Sequence, residues 1–281
     1  MPPGTRPQMA ARVRLWAAGG AVAVLTLVTA VGVVLALQPP SPPQPRAELE
    51  VETPPQMIPP TVVFIGDSYT GGSDMGGRGD RNWTSIVASE KRWNACTLGI
   101  GGSGWTRGSN GWTFGARVEW AASLRPSLIV FANGVNDLKD PAGVEAGASE
   151  ALASVRRHLP DVPIVIVGPA RVNPSQSPAI DRMDSQLRAV AGTFGARYIS
   201  PTGEGWLDGG NSIYLGTDGF HPTDEGHVYL ARRFIDAFDE FSIELSDVAK
   251  KEARACIIPP WQHTYPNGGQ VIQSPTPLPT G

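Results

Sequence analysis

The chain has 281 residues, enough for one large domain with appendages at roughly 100–200 residues per domain. Its formal net charge of −3, with no basic patch carrying interleaved aromatics, removes the electrostatic case for a nucleic-acid partner. The two cysteines and four histidines show no ligand spacing, so no metal centre is expected.

Residues 1–14 form a short N-terminus carrying Arg6, Arg12 and Arg14. From Leu15 to Leu37 no residue is charged, and the stretch exceeds the ~20 residues that a helix needs to cross a bilayer. The arginines before it place the N-terminus in the cytoplasm by the positive-inside rule. Residues 15–37 therefore read as a signal-anchor that stays in the membrane. A cleaved secretory signal is the alternative, although its apolar core is usually only ~7–15 residues and VLALQPP is a poor small-x-small cleavage site. Either reading puts the rest of the chain outside the cytoplasm. Residues 38–60 are proline-rich and polar, the composition of a semi-extended spacer.

A folded domain is expected over 61–240. Short apolar runs at 62–65, 95–100, 127–132, 163–168 and 196–200 read as strands. Helical patterns at 81–91, 115–123, 143–158, 177–193 and 223–238 alternate with them or close the domain. In 177–193 the residues Ile180, Met183, Leu187 and Val190 make one apolar stripe. This alternation predicts an α/β domain whose parallel sheet is covered on both faces, with ligands bound at the carboxyl ends of its strands. Those ends carry GDSYTGG, GIGGSGW and NGVND. Beyond 240 the pattern weakens: 241–281 reads as one further helix and an irregular, proline-containing tail. Cys96 and Cys256 allow a single disulfide, or stay as two free thiols.

Serine chemistry on an ester needs a hydroxyl, a histidine beside it, an acceptor to hold that histidine's tautomer, and donors for the oxyanion. Ser68, at the end of the first strand, is the candidate nucleophile. Asp218 and His221 are three residues apart, so one tight turn can aim the carboxylate at the imidazole. Pro222 is expected to open the last helix at its first position. Singly, each residue has a bland reading, as a turn serine, a capping aspartate or a structural histidine. Their order along the chain argues for chemistry.

Four blocks in that order resemble those of the SGNH, or GDSL, hydrolase family over about residues 61–240. GDSYTGG (66–72) matches the nucleophile block and LGIGGSG (98–104) the second block. GVND (134–137) and DGFHP (218–222) match the third and fourth. The resemblance implies a three-layer α/β/α, flavodoxin-like fold around a central five-stranded parallel sheet. It also implies a catalytic triad of Ser68, His221 and Asp218, with an oxyanion hole from Ser68, Gly102 and Asn136. Gly101 is the alternative donor to Gly102. Leu98 departs from the polar residue that often precedes the second block's first glycine.

Gly99, Gly101 and Gly104 also spell G-x-G-x-x-G, but WTRGSNGW follows where a nucleotide-binding helix should begin. No cofactor is therefore expected. Asp67, Thr70, Asp137 and His227 are read as structural. Trp105, Trp112 and Trp206, on glycine-rich loops, are expected either to wall a substrate pocket or to pin those loops by packing. The reading that follows is an exported serine esterase acting on small O-acyl groups of carbohydrate or cell-envelope glycans. Two alternatives use the same scaffold: an O-acyltransferase and a non-catalytic glycan-binding module. The sequence gives no oligomeric state.

Overall fold

The computed structural model describes residues 59–109, 111–243, 245 and 256. Contacts divide the chain into Met1–Pro55 and Gln56–Gly281, and all described residues belong to the second unit. The expected membrane segment 15–37, nearly all of the spacer and most of the tail lie outside them. Among the described residues no helix is long and apolar enough to cross a membrane.

Five strands form one parallel sheet: β1 (Thr61–Gly66), β2 (Asn94–Gly99), β3 (Leu128–Ala132), β4 (Ile164–Val167) and β5 (Arg197–Ile199). Their spatial order is β2-β1-β3-β4-β5. The chain thus steps outward from β1 to β2, then back past β1 to β3. Loops leaving β1 and β3 diverge there, which opens a crevice at the carboxyl ends. The helices are α1 (Ser68–Gly71), α2 (Trp83–Lys91), α3 (Val118–Ser123), α4 (Val144–His158), α5 (Ser177–Thr193) and α6 (Asp224–Glu240).

The central strands β1, β3 and β4 are almost continuously apolar because both faces are covered. Val63, Ile65, Ile129, Phe131 and Ile166 face α3, α4 and α5, meeting Val118, Leu152 and Met183 in one core. Val62, Phe64, Val130 and Val165 face α2 and α6, meeting Val87, Leu230 and Phe234 in the other. Each such fully buried side chain contributes roughly 1.5–3 kcal/mol. The three-layer expectation therefore holds, with alternate residues of each strand feeding alternate cores.

Most element ends fall within two residues of the sequence reading, and two helix starts differ from it for a local reason. The expected helix 115–123 begins as a 3-10 turn, Gly115–Arg117, before α3. The last helix begins at Asp224, not Pro222, because the Thr223 side chain accepts a hydrogen bond from the Gly226 N–H and so caps it. Cys96 on β2 and Cys256 form a disulfide, with their Cα atoms 5.4 Å apart.

Candidate active site

β1 ends on Gly66, where a side chain would collide with Thr70 Oγ1 at 2.0 Å. The chain turns there into the single turn of α1, and Asp67 caps that turn by accepting the Tyr69 N–H at 3.0 Å. Ser68 follows, 9% exposed, at the carboxyl end of the sheet. Its Oγ lies 2.9 Å from His221 Nε2, across 153 residues of sequence.

His221 sits in a loop closed by the antiparallel bridge Leu215–Pro222 and by the Gly216 N–H, which donates to the His221 carbonyl at 2.8 Å. Asp218 shapes this loop. Its Oδ1 accepts the N–H groups of Phe220 and His221, both at 2.9 Å, which leaves Oδ2 facing His221 Nδ1 at 2.6 Å. Burial opposes the Asp218 charge. The hydrogen bonds from the His221 ring and from the two backbone N–H groups outweigh it and hold the carboxyl below its ordinary range. An ionised Asp218 only accepts, so neutral His221 carries its proton on Nδ1 and turns the Nε2 lone pair to the serine hydroxyl.

The glycine loop after β2 owes its composition to two close approaches. A side chain on Gly99 would meet the Gly71 nitrogen at 2.3 Å, and one on Gly104 would meet the Asp137 carboxylate at 2.3 Å. Gly102 has φ +76° and open space around it, and a side chain on Gly101 would come within 3.8 Å of Ser68 Cβ. Among the described residues the N–H groups of Ser68, Gly101 and Gly102 donate to no other protein group. Asn136, in the turn after β3, donates from Nδ2 to the Ser103 carbonyl at 2.9 Å and, more weakly, to Asp67 Oδ2 at 3.4 Å. The structure thus brings together Ser68, Asp218 and His221, and sets Asn136 and the glycine loop around the same strand ends.

Asp67 is fully buried, and burial pushes its carboxyl up to about 6 against the pull of its N–H donors, Tyr69 and Gly134. Asp137 binds the N–H groups of Trp105, Thr106 and Arg107 and the Thr106 hydroxyl, locking the loop beyond Gly104. His227 is buried with Nδ1 accepting from the Trp83 N–H at 3.3 Å. Among the described residues no group of three His, Cys, Asp or Glu side chains is placed to hold a metal ion.

Of the two expectations for the tryptophans, packing is the one that Trp105 and Trp206 fit. Trp105 is 2% exposed, packed against Phe114 and Phe131 with centroids 5.0 and 5.1 Å away. Trp206 is 1% exposed, edge-on to Phe234 at 5.0 Å. Both rings are core residues, and Trp206 also lines a cavity with Tyr69, Trp83, Asn133 and Leu230. Of the three, Trp112 is the one that is partly exposed, and it is paired by a bridge with Ser109.

Sequence reasoning missed two residues. Arg117 is fully buried and donates to the carbonyls of Gly66, Leu98 and Thr113 and to Ser103 Oγ. It stitches the ends of β1 and β2 to the glycine loop. The available signal was a lone arginine beside the apolar residues Phe114, Val118 and Ala121. Tyr69 is 5% exposed, and its hydroxyl donates to the Phe220 carbonyl. Its place as the variable residue of GDSY carried no such signal.

A family model described as GDSL-like lipase/acylhydrolase matches residues 64–229, more than half of the chain. A GDSL lipase of Mycobacterium tuberculosis is 29% identical over 180 residues, which is 60% of this chain and 78% of that protein. Among solved structures, a lipase/acylhydrolase from Enterococcus faecalis superposes with a TM-score of 0.53 at 15% identity, covering 67% of this chain and 99% of its own. A salicylyl-acyltransferase from a tetracycline biosynthetic pathway superposes at 0.56 with 17% identity, covering 67% and 56%. At these identities the structural matches speak for the fold.

Proposed function

The chain belongs to the GDSL-like lipase/acylhydrolase family and is a carboxylic ester hydrolase, and from that premise we propose that it is an exported serine esterase with Ser68, His221 and Asp218 as its triad. The observation that carries the triad is the unbroken line from Ser68 Oγ to His221 Nε2 at 2.9 Å and from His221 Nδ1 to Asp218 at 2.6 Å.

The reaction runs through an acyl-enzyme. Ser68 Oγ attacks the ester carbonyl carbon while His221 Nε2 takes its proton. The N–H groups of Ser68 and Gly102 and the Asn136 amide hold the oxyanion. Of the two Asn136 contacts, the 3.4 Å one to Asp67 is the weaker, and it is the one an oxyanion replaces. The carbon–oxygen bond to the alcohol then breaks, and His221 returns the proton to that alcohol. Water, deprotonated by His221, attacks the acyl carbon and frees Ser68.

The uncharged stretch 15–37 supports export, as a membrane anchor or a cleaved signal, and so does the Cys96–Cys256 disulfide, a bond that persists in oxidising compartments. The proposed substrates are small O-acyl groups on carbohydrate or envelope glycan. The spacer 38–60 and the partly exposed Trp112 support this, and the buried Trp105 and Trp206 do not. Transfer to a sugar hydroxyl would use the same acyl-enzyme and differ only in the final nucleophile.

The test is hydrolysis of short-chain chromogenic esters by the full chain beside Ser68→Ala. Activity lost in the variant supports the reading, and activity that survives refutes Ser68 as nucleophile. Adding an acceptor glycan separates the two outcomes of the acyl-enzyme: release of free acid means hydrolysis, and an acylated glycan means transfer. An acylated glycan that is bound but never turned over would mean a binding module.

A further inference from the structure

Tyr69 stands between two parts of the site that are far apart in sequence. Its N–H donates to Asp67 Oδ1, and its carbonyl accepts the Trp83 Nε1–H at 3.0 Å. Trp83 is held in the core, stacked on Phe234 at 4.0 Å and edge-on to Phe64 at 5.3 Å. The Tyr69 backbone is therefore fixed to the sheet. Its side chain reaches outward: the hydroxyl donates to the carbonyl of Phe220, the residue before His221. The ring meets Phe220 edge-on at 6.0 Å and lies 6.1 Å from the His221 ring.

The loop it touches needs such an anchor. The side chains of His221 and Asp218 are 25% and 36% exposed, and Gly219 has φ +63°. Hydrogen bonds within 214–223 set the loop's shape, but not its distance from Ser68. Among the described residues two hydrogen bonds tie the loop to the nucleophile turn: Ser68 to His221, which breaks and reforms during turnover, and Tyr69 to Phe220. Burial, then the charges of Asp67 and Asp218, keep the phenol protonated well above its ordinary range, so it remains a donor throughout the working pH range.

We propose that the Tyr69 hydroxyl is a positioning group for the triad: by holding the Phe220 carbonyl it fixes His221 at hydrogen-bond distance from Ser68. This rests on the triad reading above. Tyr69 touches no reacting atom, and it acts only through the 218–221 loop.

The experiment is a double-mutant cycle in the full chain, with Tyr69→Phe, His221→Ala and both together, assayed on a short-chain chromogenic ester. Tyr69→Phe removes one oxygen and keeps the ring packing. It is expected to lower kcat by about tenfold or more with KM little changed, since small displacements of a catalytic group act on the chemical steps. Combined with His221→Ala it is expected to lower the residual rate no further, because the residue it positions is gone. A merely structural tyrosine would depress both backgrounds alike, and that result overturns the proposal. So does a wild-type kcat in Tyr69→Phe. If Tyr69→Phe fails to fold, Tyr69→Leu, which also lacks the hydroxyl, enters the same cycle with the same expectations. A His221→Ala variant at the wild-type rate overturns the triad reading itself. Loss in His221→Ala with no effect of Tyr69→Phe overturns the tether alone.

Discussion

His227 and Asp67 are both buried and titrate against each other in their effect on stability. Burial, against the pull of Asp224, lowers His227 from 6.5 to about 4. As pH falls, the unfolded chain takes up that proton first, so the stability held by neutral His227 is complete above pH 6.5 and is lost on the way to pH 4. By the linkage relation this amounts to about 2 kcal/mol between pH 7 and pH 5. Asp67 has the opposite sign. Its folded pKa is raised from 3.8 to about 6, so the folded protein holds a proton that the unfolded chain has released. Its contribution is complete below pH 3.8 and lost as pH rises through about 6, which gives back about 1 kcal/mol between pH 7 and pH 5. From these two groups together the wild type loses about 0.5 kcal/mol over that interval. His227→Asn keeps an acceptor where Nδ1 meets the Trp83 N–H and removes the titration. It is expected to be less stable at pH 7, because the ring beneath Gly77 is gone, yet to gain about 1 kcal/mol on going to pH 5. Urea unfolding at both pH values, followed by tryptophan fluorescence, measures the difference. Equal pH dependence in wild type and variant would refute the assignment of His227 as a buried neutral imidazole.

Two further outcomes are expected. Asn136→Ala should lower kcat by about 10²–10³ if its amide serves the oxyanion; steady-state kinetics decides, and a change confined to KM counts against that role. The Cys96–Cys256 bridge closes a loop of 160 residues, for which the chain-entropy relation gives about 5 kcal/mol. The double variant Cys96→Ala, Cys256→Ala should therefore unfold at clearly lower urea than the oxidised wild type, and coincident curves would remove the bridge from the stability account.

Local pattern carried most of the fold. The apolar runs 62–65, 127–132 and 163–168 became the three central strands because a parallel sheet buried on both faces favours near-continuous Val, Ile, Leu and Phe. The stripe Ile180, Met183, Leu187, Val190 became the inner face of α5. The first three blocks marked the ends of β1, β2 and β3 because tight turns and close backbone approach there demand glycine, as at Gly66 and Gly99. Packing decided the rest. Trp105 and Trp206 look like surface aromatics on glycine-rich loops, but the folded loops turn both rings into the cores. Arg117 gains its four acceptors only when the ends of β1 and β2 and the loop near 113 converge on one point. The Tyr69 hydroxyl finds its carbonyl 151 residues away. Periodicity reports which face of an element is apolar. Which distant atom meets a buried polar group is decided by the register in which whole layers pack, and that belongs to the tertiary structure.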